Sequence, residues 1–135
     1  MANEGTTILL AEDDPTLAEL YTDILKQESF TVIHVSNGED ALKQIREFHP
    51  NLVLLDIMMP KMNGLEVLKA LKEDDDTKSI PIIVITALVQ DVEKARKLMS
   101  PADAYIVKSE VLPAEIIEEV KKRLEGGELA GSSEE

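Results

Sequence analysis

The sequence predicts a doubly wound α/β domain: a five-stranded parallel sheet with helices on both faces. Three observations carry that expectation. Five short apolar runs recur at fairly even intervals along the 135 residues. Most are rich in β-branched residues and nearly continuous rather than alternating, the pattern of strands covered on both faces. Between and after them lie stretches with the apolar spacing of amphipathic helices, so strand and helix alternate five times.

Each element has its own warrant. Ile8-Leu9-Leu10-Ala11 reads as the first strand, and Leu17, Leu20, Tyr21, Ile24 and Leu25 then follow an i, i+3, i+4, i+7, i+8 stripe. Val32-Ile33-His34-Val35 is the second strand, followed by a helix on Ala41, Leu42, Ile45 and Phe48. Leu52-Val53-Leu54-Leu55 leads to a helix on Leu65, Leu68 and Leu71, and Ile82-Ile83-Val84-Ile85 to one on Val92, Ala95, Leu98 and Met99. Tyr105-Ile106-Val107 closes the sheet, and Pro113 sits well in the first turn of a last helix carrying Ile116, Ile117, Val120 and Leu124. Right-handed crossovers and five strand–helix units match the flavodoxin-like order 2-1-3-4-5. The expected domain is 6–125, and the Gly, Ser and Glu tail 126–135 is expected to be disordered.

Composition narrows the function classes. The chain holds no cysteine, which excludes disulfides, thiolate metal sites and thiol catalysis. No apolar run approaches membrane-spanning length and no secretory signal opens the sequence, so a cytoplasmic protein without membrane contact is expected. With 27 acidic against 14 basic residues, the net charge of -13 argues against direct nucleic-acid binding. Leu, Ile and Val must fill the core, since aromatics make up only 3%.

In an open α/β sheet, ligands bind beyond the carboxyl ends of the strands. Glu12, Asp13 and Asp14 follow the first run, Asp56 the third, Thr86 the fourth and Lys108 the fifth. The second contributes nothing obvious, and His34 and His49 read as ordinary surface or packing histidines. Carboxylates gathered at one sheet end repel one another, and a hard divalent cation resolves the repulsion. Mg²⁺ takes one or two carboxylates together with phosphate oxygens, and Glu12, Asp13 and Asp56 supply the set, with a backbone carbonyl near Met58 as a further oxygen. Lys108 and Thr86 then clamp the oxygens of a phosphoryl group in transfer, with Asp56 as its nucleophile. In Met58-Met59-Pro60-Lys61-Met62-Asn63-Gly64, Pro60 stops the strand and Asn63-Gly64 signals a turn before a helix.

These residues resemble the receiver domains of two-component response regulators over about residues 6–125. Ile8-Leu9-Leu10-Ala11-Glu12-Asp13-Asp14 is similar to that family's opening strand and acid pair. Leu54-Leu55-Asp56-Ile57-Met58-Met59-Pro60-Lys61-Met62-Asn63-Gly64 resembles its phosphoacceptor strand and loop, and Thr86-Ala87 with Tyr105-Ile106-Val107-Lys108 completes the pattern. The resemblance implies that Glu12 and Asp13 bind the metal, that Asp56 is the phosphoacceptor and that the Met58 carbonyl is a third protein ligand. It further implies that Thr86 is a hydroxyl moving toward the phosphate, that Tyr105 is an aromatic following it, and that Lys108 pairs with the phosphate. Asp14 is expected to cap the first helix. The family usually places proline after the lysine, commonly with a cis bond; here Ser109 stands there, so a trans peptide and a differently shaped loop are expected.

The implied function is a phosphorylation-activated switch that takes a phosphoryl group from a histidine kinase or phosphotransfer protein. Its output is a changed affinity for a protein partner, or for a second copy, through the face of the last two helices and last strand. Such a switch catalyses its own phosphorylation and dephosphorylation and is not expected to turn over an external substrate. The apolar Met58 and Leu88 stand where other members often place polar groups near the attacking water, so slow self-dephosphorylation is expected. Three alternatives compete. A phosphohydrolase would need a general acid/base close to Asp56, where apolar Ile57 and Met58 stand, and a cap that the length does not allow. An unphosphorylated interaction module would be expected to lose an acid or the lysine. A DNA-binding regulator would need a helix-turn-helix or basic segment, and none follows residue 125.

Overall fold

The computed structural model describes residues 5–125, and the tail expected to be disordered lies outside them. Five strands, β1 (Thr7–Ala11), β2 (Thr31–Val35), β3 (Leu52–Asp56), β4 (Ile82–Thr86) and β5 (Ala104–Val107), form one sheet in the order β2-β1-β3-β4-β5. Every pairing is parallel, with Leu9 opposite both Ile33 and Val53, and Asp56 opposite Ile85. The helices are α1 (Pro15–Gln27), α2 (Gly38–Phe48), α3 (Gly64–Glu73), α4 (Gln90–Arg96) and α5 (Pro113–Leu124), and a 3₁₀ turn covers Lys108–Glu110. Both the fold class and the strand order agree with the sequence-based expectation.

Alternation along each strand divides the core into two layers. Leu9, Val53, Leu55 and Val84 pack beneath α2, α3 and α4 against Ala41, Ile45, Val67, Leu68, Leu71 and Ala95. Ile8, Leu10, Leu54, Ile83 and Ile85 face the other way, against Tyr21 and Leu25 of α1 and Ile116, Ile117 and Val120 of α5. A Leu or Ile removed wholly from water contributes about 1.5–3 kcal/mol. Such residues fill β1, β3 and β4 almost without interruption.

The helix starts follow local chemistry. The Asp14 side chain accepts from the N–H groups of Thr16 and Leu17, as expected of a cap. Asn37 accepts from Asp40 N–H at 2.8 Å, and Asn63 exchanges bonds with Glu66 in a capping box that starts α3. Pro113 occupies the first turn of α5.

Two local expectations need correction. The fourth helix stops at Arg96, so Leu98 and Met99 lie beyond it in tight turns, bonded to Ala95 and Arg96 carbonyls. Pro101 disfavours a helical Ser100, and Asp103 captures the Ser100 N–H at 2.9 Å instead. Leu20 and Phe48, counted in buried stripes, are 39% and 54% exposed because each lies at the edge of its helix's apolar face. β2 lies at the edge, as the expected strand order implies, and its Thr31 and His34 are exposed.

The amino ends of β4 and β5 are tied by a buried polar node. Lys72 Nζ lies 2.8 Å from Asp103 Oδ2, whose carboxylate also accepts from Ile82 N–H at 2.8 Å and from Ser100. Lys72 additionally donates to the Lys78 carbonyl at 3.0 Å. This node fixes α3 to the base of β4 and β5, at the end of the sheet opposite the acidic strand ends.

Candidate functional site

Glu12 and Asp13 leave the end of β1 at the centre of the sheet, and Asp56 is the last residue of neighbouring β3. One carboxylate oxygen from each of the three lies within 4.8 Å of the others. Glu12 and Asp56 are buried, whereas Asp13 is exposed at the mouth. Asp56 is held from two sides: its Oδ1 accepts from Met58 N–H at 3.1 Å and its Oδ2 from Lys108 Nζ at 3.0 Å.

Lys108 bridges the two buried carboxylates. Its Nζ lies 3.1 Å from Glu12 Oε1 and 3.4 Å from Oε2, but its alignment serves Asp56 and Oε2. Glu12 Oε1 is therefore buried with no hydrogen-bond donor. Burial, and then the Asp56 carboxylate beside it, push the Glu12 carboxyl from 4.5 up to about 7; the Asp14 N–H and Lys108 pull the other way. Burial works against the charge on Lys108, but Asp56 and Glu12 outweigh it and raise its pKa. One ammonium among three carboxylates leaves the cluster short of positive charge. An orphaned buried oxygen within an all-oxygen donor set fits a hard divalent cation, and Glu12, Asp13 and Asp56 are the residues that would hold it.

Lys108 reaches Asp56 without a following proline. Its peptide to Ser109 is trans, as expected, and the chain turns through the 3₁₀ segment with Ser109 exposed. The loop after β3 is wedged in place by two close approaches. A Cβ on Gly64 would lie 2.3 Å from the Asp56 carbonyl, and one on Gly38 would lie 1.8 Å from the Met62 carbonyl. Lys61, between them, takes a positive φ of 69°.

Thr86 and Tyr105 are not drawn into the acid cluster. The buried Thr86 hydroxyl accepts from Leu88 N–H at 3.0 Å and reaches the Leu88 carbonyl at 3.3 Å and Asp91 Oδ2 at 3.5 Å. Tyr105 is exposed on β5, where Arg96 donates to its hydroxyl at 3.3 Å and lies over its ring. A cavity of about 520 Å³ opens beside the acids, lined by Asp13, Met58, Pro60, Leu65, Asp91 and Lys94 among others.

Two contributions were missed from sequence. Asp91 is buried next to Thr86, and its signal was a carboxylate at the head of the inward stripe Asp91, Ala95, Leu98. His34 is an exposed histidine, as expected, but it stands at the carboxyl end of β2, with Nε2 2.9 Å from the Glu12 carbonyl. The parallel register between β1 and β2 puts it there, and a run read in isolation does not show that. His49, by contrast, is exposed in the left-handed turn after α2.

Comparison with known proteins agrees with this geometry. Residues 8–121 match the response regulator receiver domain family, and the chain belongs to that family. It is 35% identical over 118 residues to the polar-differentiation response regulator DivK of Brucella anthropi, covering 87% of this chain and 95% of that protein. It is also 40% identical over 121 residues to the DNA-binding response regulator MtrA of Mycolicibacterium smegmatis, covering 90% of this chain. There the chain spans about half the relative's length, 51%. The crystal structure of the signal receiver domain of a signal transduction histidine kinase from Syntrophus aciditrophicus superposes with a TM-score of 0.82 at 31% identity, covering 90% of this chain and 92% of that one. The chain is thus a phosphorylation-based signalling domain of two-component systems, and its acidic cluster is of the kind that binds Mg²⁺ in receiver domains. No helix among the described residues is long and apolar enough to cross a membrane.

Proposed function

We propose that the chain accepts a phosphoryl group on Asp56 from a histidine kinase or phosphotransfer protein, with Mg²⁺ held by Glu12, Asp13, Asp56 and the Met58 carbonyl. The observation that carries this is the Asp56 carboxylate, fixed between Met58 N–H and Lys108 Nζ with two further carboxylates beside it. In the transfer, an Asp56 oxygen bonds to phosphorus as the phosphorus–nitrogen bond of a phosphohistidine breaks, and the electron pair leaves with the imidazole. Mg²⁺, when bound, neutralises charge on the carboxylates and on the phosphoryl oxygens. Lys108 moves from carboxylate to phosphoryl oxygen, and Thr86 donates its hydroxyl to a second oxygen.

Thr86 can do so only by leaving Leu88 and Asp91, which loosens the start of α4. Tyr105 and Arg96 lie at the other end of that helix and join it to β5. The face of α4, β5 and α5 exposes Tyr105 and carries Glu115, Glu118 and Lys122. A partner, or a second copy, would read the change there. The reading includes a cytoplasmic location, a domain spanning 6–125, no turnover of an external substrate, and no direct nucleic-acid contact by this domain.

The test is intact mass after incubation with a small-molecule phosphodonor, with and without Mg²⁺, for the wild type and Asp56→Asn. One base-labile phosphoryl group that needs Mg²⁺ and is lost in the variant is expected. A folded, Mg²⁺-binding chain that stays unmodified would instead identify an interaction module.

A further inference from the structure

We infer that Asp91 is a positioning residue: its buried carboxylate helps hold the Thr86 hydroxyl in the start of α4, so that removing Asp91 primes the switch. The inference rests on the proposed role of Thr86 as the hydroxyl that turns to the phosphoryl group. α4 is short, and Val89 before it offers no side-chain cap. Its start is fastened to the end of β4 through the Thr86 side chain, which takes the Leu88 N–H and faces two acceptors, the Leu88 carbonyl and Asp91 Oδ2.

The two acceptors differ in kind. The Leu88 carbonyl is the nearer, at 3.3 Å against 3.5 Å, but Asp91 brings a charge, and hydrogen bonds to ionised acceptors are the stronger class. Asp91 is only 7% exposed, beside the buried Val92 and Ala95. Lys94 lines the same cavity, yet no ion pair joins it to Asp91 among the described residues. Among the described residues, the Thr86 hydroxyl is the one side-chain donor within reach of Asp91, which shares it with the Leu88 carbonyl. When the hydroxyl turns to a phosphoryl oxygen, Asp91 is left buried without it, and a buried carboxylate stripped of a donor is costly. That cost opposes the switched state. Truncating Asp91 removes it, so the variant should bind a phosphoryl mimic more tightly than the wild type does.

Beryllofluoride, which caps an aspartate as an acyl phosphate would, is the probe, titrated with Mg²⁺ into the wild type, Asp91→Ala and Asp91→Ser. Tightening of about two- to threefold in Asp91→Ala, the low end of one net hydrogen bond because the hydroxyl is shared with the Leu88 carbonyl, is expected. Asp91→Ser, too short to reach Thr86, should behave alike and serves should the alanine variant not fold. A folded variant with unchanged or weaker affinity would overturn the inference. The Thr86 methyl resonance in the unmodified chain gives a second readout, with rotamer averaging expected once Asp91 is gone. If the wild type takes no beryllofluoride, the phosphoacceptor reading fails, and that resonance decides alone: an unchanged signal in Asp91→Ala would then overturn the latch.

Discussion

Mg²⁺ binding at pH 6 should expel a proton from the acid cluster, and binding at pH 8 should not. Glu12 is the source, because its carboxyl is raised from 4.5 to about 7 by burial and by Asp56. With that value Glu12 carries about nine-tenths of a proton at pH 6 and about one-tenth at pH 8, and a bound cation requires the carboxylate. The same shift bears on stability. A carboxyl with a raised folded-state pKa contributes stability that is present below the unfolded value and lost as pH rises through the folded one. Without the cation, the Glu12 contribution therefore falls between pH 4.5 and about 7. From one pKa unit being 1.36 kcal/mol, the loss between pH 5 and 8 is at most about 2–3 kcal/mol. Calorimetric Mg²⁺ titration in buffers of different ionisation enthalpy measures the proton directly. Denaturant unfolding of wild type against Glu12→Gln measures the stability term: the glutamine variant should gain on the wild type as pH rises. A binding enthalpy independent of buffer at pH 6, together with parallel stability curves for the two proteins, would refute this account of the site.

Other consequences are more local. Gly64→Ala should lower stability by more than about 2 kcal/mol, since its Cβ would meet the Asp56 carbonyl at 2.3 Å and a backbone contact cannot swing aside; thermal unfolding checks this, and a wild-type midpoint would contradict it. Asp103→Ala leaves the partly buried Lys72 ammonium without its counter-charge and the Ile82 N–H without its acceptor, and a loss of about 2–4 kcal/mol is expected on chemical denaturation. With Asp56 as the proposed phosphoacceptor, the apolar Met58 whose N–H it accepts offers no side-chain group to orient an attacking water, so phosphoryl loss should be slow and quicken in Met58→Glu; a wild-type half-life of seconds would sink the idea. Arg96→Ala should release Tyr105, read as a change in tyrosine fluorescence with little change in stability, because the pair is exposed.

Legibility from sequence followed the range of the interactions. The three inner strands were readable because Ile8–Ala11, Leu52–Leu55 and Ile82–Ile85 are continuous apolar runs, and strands buried on both faces permit little else. Asp14, Asn63 and Pro113 were readable because capping acts within three or four residues. The acids and Lys108 were placed by the rule that strand ends converge. What escaped depends on packing between elements: Asp91 meets Thr86 only once α4 lies over the end of β4, and His34 meets the Glu12 carbonyl only through the register of β1 and β2. The early stop of α4 escaped because its apolar spacing runs on through Leu98 and Met99, although Pro101 already disfavours a helical Ser100.

The bridge from Lys108 to Asp56 and Glu12 spans 52 and 96 residues of chain, so the site cannot assemble locally. Contacts of such separation carry the loop-closure entropy that delays them during folding. The acids of β1 and β3 become neighbours when the centre of the sheet forms, but their lysine arrives only when β5 has docked on β4. A half-folded chain therefore shows the Asp56 carboxylate without the Lys108 ammonium beside it. On the proposed function, competence to take up a phosphoryl group would in this way report on a completed fold of the domain.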